Sequence, residues 1–333
     1  MDGRSICIES TLITLLRPIY PRYTNRYGTL HGGMLAWWML EAGSMSAMRA
    51  SGGYVVLGAI DYLFMLNPGR LGENLHAYSL VIGATRHTLD VLTYAESAPP
   101  GGRETKPVSL SIQTFVSVDE NVKPRPHGIN IKPCSMESKA LETLHLEWLA
   151  ERKPLIEERK LIAQDTKPLE TPYRVESYQV ISPEAAFSLP NVLDASKLFY
   201  DIDQVAAIAA MKATGSPVVT ASFDAAVFAS PGYVGDLLRI EAGITGVGNT
   251  SSEVLVKITA ENPEKDRKTT IARMYTIMVS IGPDGRPIPH RIKPKIPHTL
   301  QQAFEERQKT RRRRRARTQQ LIRLVESIVK KLP

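Results

Sequence analysis

Cysteine is nearly absent from this chain of 333 residues: Cys7 and Cys134 are the whole supply, neither in metal-ligand spacing and neither with a partner nearby. That scarcity predicts no zinc site, no disulfide framework and no metal or redox cofactor. Long apolar runs are missing too. No stretch approaches the roughly 18 apolar residues of a membrane-crossing helix, and the opening MDGRSICIES lacks the basic-then-apolar pattern of a secretory leader. A soluble, cytoplasmic protein is therefore expected. A net basic charge is also missing from most of the chain, although the whole carries +8. Arg307 to Pro333 holds eleven Lys or Arg against one Glu, so the remaining residues sum to about −2. The basicity belongs to the tail and not to the body.

What the chain has is itself, twice. At one fixed offset of 163 residues, Asp61, Pro68, Gly72 and Leu75 recur as Asp224, Pro231, Gly235 and Leu238. Val55-Val56 recur as Val218-Val219, Gly83 as Gly246, Val91-Leu92 as Val254-Leu255, and Pro124, Pro126 and His127 as Pro287, Pro289 and His290. The period exceeds the roughly 20 to 50 residues of solenoids and has the size of a domain. The chain is thus a domain fused to a diverged copy of itself, and its 43% hydrophobic content suffices for two cores.

Each copy opens on a turn-rich lead-in and a long stretch without proline. In the first copy HGGMLAWWMLEAGSMSAM (31–48) is apolar on nearly every face and predicts a buried helix. Its counterpart is SKLFYDIDQVAAIAAMK (196–212). Runs rich in Val, Ile, Thr, Tyr and Phe follow, broken by Gly, Pro and Asn, and predict four or five antiparallel strands. One buried helix and a sheet that must wrap it make an α+β domain. The domains are placed at 1–128 and 175–292. Between them 129–174 reads as a linker with a helix that Pro154 breaks or kinks. The tail, 293–333, reads as a basic amphipathic helix with Leu321, Leu324, Val325, Ile328, Val329 and Leu332 on one face.

Asn25, Gly28 and His31-Gly32-Gly33, opening a buried helix that carries Glu41 and Gly43, resemble the signature of the hotdog-fold acyl-CoA thioesterases. In the second copy Asp203-Gln-Val-Ala-Ala, the run from Val219 to Asp224, Phe228-Ala-Ser-Pro231 and Gly235-Asp236 resemble the same family. The resemblance covers Asn25 to His127 and Ser188 to His290. It implies tandem hotdog folds, each an antiparallel sheet wrapped around a long central helix, paired as a pseudo-dimer, with three such chains associating. It implies hydrolysis of fatty acyl-CoA to free fatty acid and coenzyme A. No cofactor is implied, coenzyme A being part of substrate and product.

Thioester hydrolysis needs an activated water, a group that holds it, and donors for the carbonyl oxygen as it gains charge. A helix opening with Gly32-Gly33 presents backbone amides at its positive end with no side chains in the way. The resemblance puts the acid nine positions after the His of HGG and pairs it with the Asn of the partner domain. The repeat offset then divides the roles. Asn25 becomes Ser188 in the second copy and His31-Gly32-Gly33 becomes Asp194-Ala195-Ser196, whereas position nine is Leu40 in the first copy and Asp203 in the second. One composite site is expected, with Asn25 and Asp203 catalytic and with His31, Gly32, Gly33 and Ser222 orienting the substrate or the oxyanion. The cleft of Ser188 and Leu40 is expected to hold no chemistry, with Glu41 a satisfied polar residue near it. Each residue has a plainer reading as well: Asn25 as a cap or turn residue, Asp203 as a surface acid beside Asp201, His31 as structural, and Trp37-Trp38 as core.

The alternative to an enzyme is a non-catalytic acyl-CoA-binding or RNA-binding module on the same fold. Survival of both halves of one site, with decay of the other on both sides, argues for catalysis. Arg311 to Arg315 reads as a solvated face, a phosphate-binding patch, or an arm for nucleic acid or membrane.

Overall fold

The computed structural model describes residues 4–102 and 104–331. The chain forms two compact units, one of Met1–Glu157 with Arg317–Pro333 and one of Glu158–Ala316. The expected linker and tail are therefore parts of the units. Leu332 of the tail's apolar stripe lies outside the described residues.

The first unit begins with β1 (Arg4–Cys7), a 3₁₀ turn (Ile8–Thr11) and β2 (Ile13–Pro18). Then come the helix α1 (Gly32–Ser51) and four long strands, β3 (Val55–Met65), β4 (Asn74–Ala84), β5 (Thr88–Ala98) and β6 (Lys106–Ser117). β7 (Ile129–Lys132) pairs parallel with β1, and α2 (Met136–Glu157) follows. The sheet is antiparallel in the order β2-β4-β5-β6-β3, and α1 lies against all five strands. α2 runs through Pro154 without breaking there and ends at Glu157.

The second unit repeats this plan. After α3 (Arg159–Gln164) come β8 (Val175–Val180), α4 (Leu198–Thr214), β9 (Val218–Phe228), β10 (Leu237–Val247), β11 (Ser251–Asn262) and β12 (Arg267–Ser280). The sheet order β8-β10-β11-β12-β9 is that of the first unit, and α4 occupies the place of α1. Each unit is a hotdog fold. The last helix, α5 (His298–Lys331), divides between them, with Arg317–Lys331 belonging to the first. Among the described residues no helix is long and apolar enough to cross a membrane.

Strands such as β5 are buried along nearly their whole length because both faces are covered, one by α1 and the other by outer helices. That is why LDVLTYAES shows no clean alternation. On the outer face of the first sheet Phe64, Leu80, Leu92 and Tyr94 pack with Trp148 of α2 and with Leu321, Val325 and Ile328 of α5. The apolar stripe of the tail is core. The two copies receive their outer helices at corresponding points. A Cβ at Gly83 would lie 2.1 Å from the His145 ring of α2, and one at Gly246 would lie 2.1 Å from the Phe304 ring of α5. Only glycine admits such an approach. Seven residues beyond each glycine stands a fully buried acid. Asp90 accepts from Thr114 Oγ1 at 2.7 Å and meets His145 Nε2 at 2.9 Å. Glu253 takes Arg307 at 2.6 Å and Arg311 at 3.0 Å.

The cysteines correct the sequence reading. Cys7 and Cys134 are joined in a disulfide whose Cα atoms lie 5.6 Å apart. Their distance along the chain hid a proximity that the parallel pairing of β1 with β7 creates.

Candidate functional site

In the first unit the loop before α1 is shaped by Asn25. Its backbone N–H donates to Thr29 O at 2.8 Å, and its carbonyl accepts from Gly28 N–H at 3.0 Å, with Gly28 at a φ of 69°. The side-chain Oδ1 accepts from Tyr27 N–H at 2.9 Å, Thr29 Oγ1 at 3.1 Å and Thr29 N–H at 3.4 Å. The oxygen end of the amide is thus committed to the turn. Chemistry toward a ligand is left to Nδ2, which can only donate. The chain then enters α1, where His31 is the extended N-cap without a side-chain capping bond. The first intrahelical bond runs from Leu35 N–H to His31 O at 3.0 Å, so the amides of Gly32 and Met34 precede the helical ladder. Trp38 meets the Tyr23 ring edge-on with centroids 5.0 Å apart, a core contact that pins the loop to the helix. Glu41 is held by Arg17 of β2 at 3.0 Å.

In the second unit Asp203 is buried on α4 and accepts a hydrogen bond from Thr220 Oγ1 of β9. Simple alternation would put Ser222 on the same side as Thr220. The pairing of β9 with β12 instead skips Ala221, since Thr220 faces Met278 and Ser222 faces the next residue, Ile277. A bulge of this kind changes which face the following side chains take. Phe223 packs edge-on against Phe199 of α4 at 5.1 Å. Ser222 bonds Asp224 Oδ2 at 2.8 Å, and that carboxylate is bound by Arg311 of α5 at 2.6 Å. Ser222 therefore belongs to the outer-face network, and Thr220 is the strand hydroxyl beside Asp203. The sequence held a signal for it. At the repeat offset Asp203 and Thr220 answer to Leu40 and Leu57, a polar pair in one copy and a buried apolar pair in the other.

The second copy's counterpart of the HGG segment is built differently. α4 starts at Leu198, three residues later than the counterpart of Gly32. Asp194, in the place of His31, accepts from Ser196 N–H at 3.0 Å and Ser196 Oγ at 2.7 Å. Burial pushes the Asp194 carboxyl above its ordinary value, against the pull of the Ser196 bonds and Lys197. Lys197 Nζ reaches back to Ala186 O at 3.1 Å. A carboxylate and an ammonium thus stand before this helix, where α1 begins with a neutral glycine pair.

The arginine run is divided by the same geometry. Arg311 serves Asp224 and Glu253. Burial alone would lower its pKa, but the two facing carboxylates outweigh this and raise it. Arg312, Arg313 and Arg315 are exposed.

The profile of the thioesterase superfamily matches residues 27–96 and 202–266, corresponding parts of the two copies. The chain is similar to the uncharacterized acyl-CoA thioester hydrolase YkhA of Bacillus subtilis, 30% identical over 116 residues, 35% of this chain and 64% of that protein. It thus spans less than two thirds of that relative. It is also similar to the cytosolic acyl coenzyme A thioester hydrolase of Mus musculus, 22% identical over 296 residues, 83% of this chain and 76% of that one. Among solved structures, an acyl-ACP thioesterase from Bacteroides thetaiotaomicron shares the fold, with a TM-score of 0.52 at 14% identity over 81% of this chain and 98% of its own. Each copy thus carries one segment that matches the thioesterase superfamily.

Proposed function

We propose that this chain hydrolyses fatty acyl-CoA thioesters, and that the groups retained by its two copies act on one thioester. The observation that carries the reading is complementary loss. The first copy keeps Asn25 and the Gly32-Gly33 start of α1 but has Leu40 and Leu57 in place of the acid and hydroxyl. The second keeps Asp203 and Thr220 but has Ser188 for the Asn and Asp194 before its helix. Neither copy alone has a base and an oxyanion site.

In this reading Asp203 accepts a proton from a water that Thr220 helps to hold, and the water oxygen bonds to the thioester carbon. The negative charge on the former carbonyl oxygen is met by Asn25 Nδ2 and by the positive end of α1 at Gly32, with Gly33 leaving room for approach. His31 orients the acyl-CoA at that helix start. Collapse breaks the carbon–sulfur bond, and the coenzyme A sulfur leaves with the proton held by Asp203. Association of three chains belongs to the same reading, and light scattering would give three times the chain mass.

The test is release of free thiol from acyl-CoAs of increasing chain length by wild type, Asn25→Ala, Asp203→Ala and Ser188→Ala. Losses of about 100-fold or more are expected for the first two variants and little change for the third. If wild type releases no thiol from any substrate, the reading fails and an acyl-CoA- or RNA-binding role takes its place.

A further inference from the structure

Three donor atoms of the first unit converge at its disulfide. Cys7 Sγ, Cys134 Sγ and a Glu9 carboxylate oxygen lie within 4.8 Å of one another. Cys7 caps the 3₁₀ turn that holds Glu9. Cys134 stands two residues before the start of α2, where Ser138 N–H donates to Ser135 Oγ at 3.1 Å and Ser135 N–H donates to Ser138 Oγ at 2.9 Å. Glu9 Oε1 accepts from Ser135 Oγ at 2.6 Å, whereas Oε2 is buried with no hydrogen-bond partner. A buried carboxylate oxygen without a donor costs free energy. In the oxidised protein neither sulfur relieves this cost, since a disulfide carries no proton to donate.

We propose that reduction of the Cys7–Cys134 bond turns this corner into a site for a soft divalent cation of the zinc class, held by both thiolates and by Glu9. A dithiol reductant breaks the sulfur–sulfur bond by two exchanges, closes its own sulfurs into a disulfide and leaves two cysteine thiols. The cation displaces a proton from each thiol to solvent. With metal–sulfur bonds of about 2.3 Å and metal–oxygen bonds of about 2.1 Å, tetrahedral ligand atoms stand roughly 3.5 to 4 Å apart. The released sulfurs reach this spacing by small side-chain rotations, and water takes the fourth position. The cation then joins the segments that the disulfide joins, so the corner stays closed in reducing and oxidising surroundings alike.

The full chain, reduced with tris(2-carboxyethyl)phosphine, which leaves as its oxide with oxygen from water, is titrated with Zn²⁺ against a chromophoric chelator. One equivalent is expected to bind the reduced protein and less than a tenth the oxidised protein. Cys7→Ser and Cys134→Ser abolish this binding, and the near-isosteric Glu9→Gln weakens it at least tenfold. Stoichiometric Zn²⁺ raises the thermal midpoint of the reduced wild type and leaves that of reduced Cys134→Ser unchanged, a readout that also reports whether the variant is folded. Binding by reduced wild type no tighter than by Cys7→Ser overturns the proposal, and so does Glu9→Gln binding as tightly as wild type.

Discussion

In the proposed reading Asn25 carries two tasks in one amide, and substitution can separate them. Its Oδ1 organises the loop through three acceptor contacts, while Nδ2 is the end left for a ligand. Asn25→Ala removes both, with an expected stability loss of about 1 to 2 kcal/mol. Asn25→Asp keeps the acceptor and replaces the donor with a second anionic oxygen. Its thermal midpoint should stay near wild type while kcat falls about 100- to 1000-fold. Equal activity in Asn25→Asp and wild type would confine Asn25 to the loop. The strand hydroxyls form a second pair. Thr220→Val should lower kcat at least tenfold, since Thr220 bonds Asp203, whereas Ser222→Ala should change it less than threefold, since Ser222 bonds Asp224. The reverse order would return the role to Ser222. The resemblance picks Ser222, two before Asp224, alternation along VTASFD leaves Thr220 on the same face, and no residue in that stretch announces the bulge at Ala221. Only the Leu40 and Leu57 counterparts disclose the Asp203–Thr220 pair.

At the scale of elements, the starts of α1 and α4 differ in what stands before them. The Asp194 carboxyl has its folded pKa raised above the ordinary value of 3.8, so the folded state binds its proton more tightly than the unfolded state. Its stabilising contribution is present below the unfolded value and is lost as the pH rises through the folded one. Asp194→Asn keeps an acceptor for Ser196 and removes the titration. Wild type and variant should melt together below about pH 4, and the variant should gain as the pH rises toward neutrality. A constant difference across that range would show that Asp194 does not titrate with folding. The arginines of α5 make a different prediction. Arg311→Met leaves Asp224 with only Ser222 and removes one of the two cations on fully buried Glu253. An uncompensated buried charge costs about 3 to 5 kcal/mol. Denaturant unfolding should show that loss to be nearly independent of salt, because buried pairs are little screened. A loss that vanishes in high salt would mark Arg311 as part of a solvated basic face.

At the scale of the molecule, periodicity served where one face of an element decides the pattern and failed where two faces are buried. The apolar helix at 31–48 and the offset that joins Asp61 to Asp224 were enough for the tandem plan, because a helix apolar all round must be wrapped. The outer layer was illegible. Leu321, Val325 and Ile328 looked like one face of a free amphipathic tail, and nothing local says that they pack with Tyr94 and Trp148. The disulfide was illegible for the same reason, being set by the parallel pairing of β1 with β7 across 127 residues of chain. That separation gives it weight. In the chain-entropy account a loop of about 100 residues is worth about 4.7 kcal/mol, with typical measured values of about 2 to 4. The closed loop holds the whole first sheet together with α1, so its removal should act on that unit first. Cys7→Ala/Cys134→Ala should therefore lower the denaturant midpoint of the first unit, followed by near-ultraviolet signal from Trp38 and Trp148, by an amount matching about 2 to 4 kcal/mol. A first-unit transition unchanged in the double variant would show that β1, β7 and the start of α2 stay together without any covalent tie.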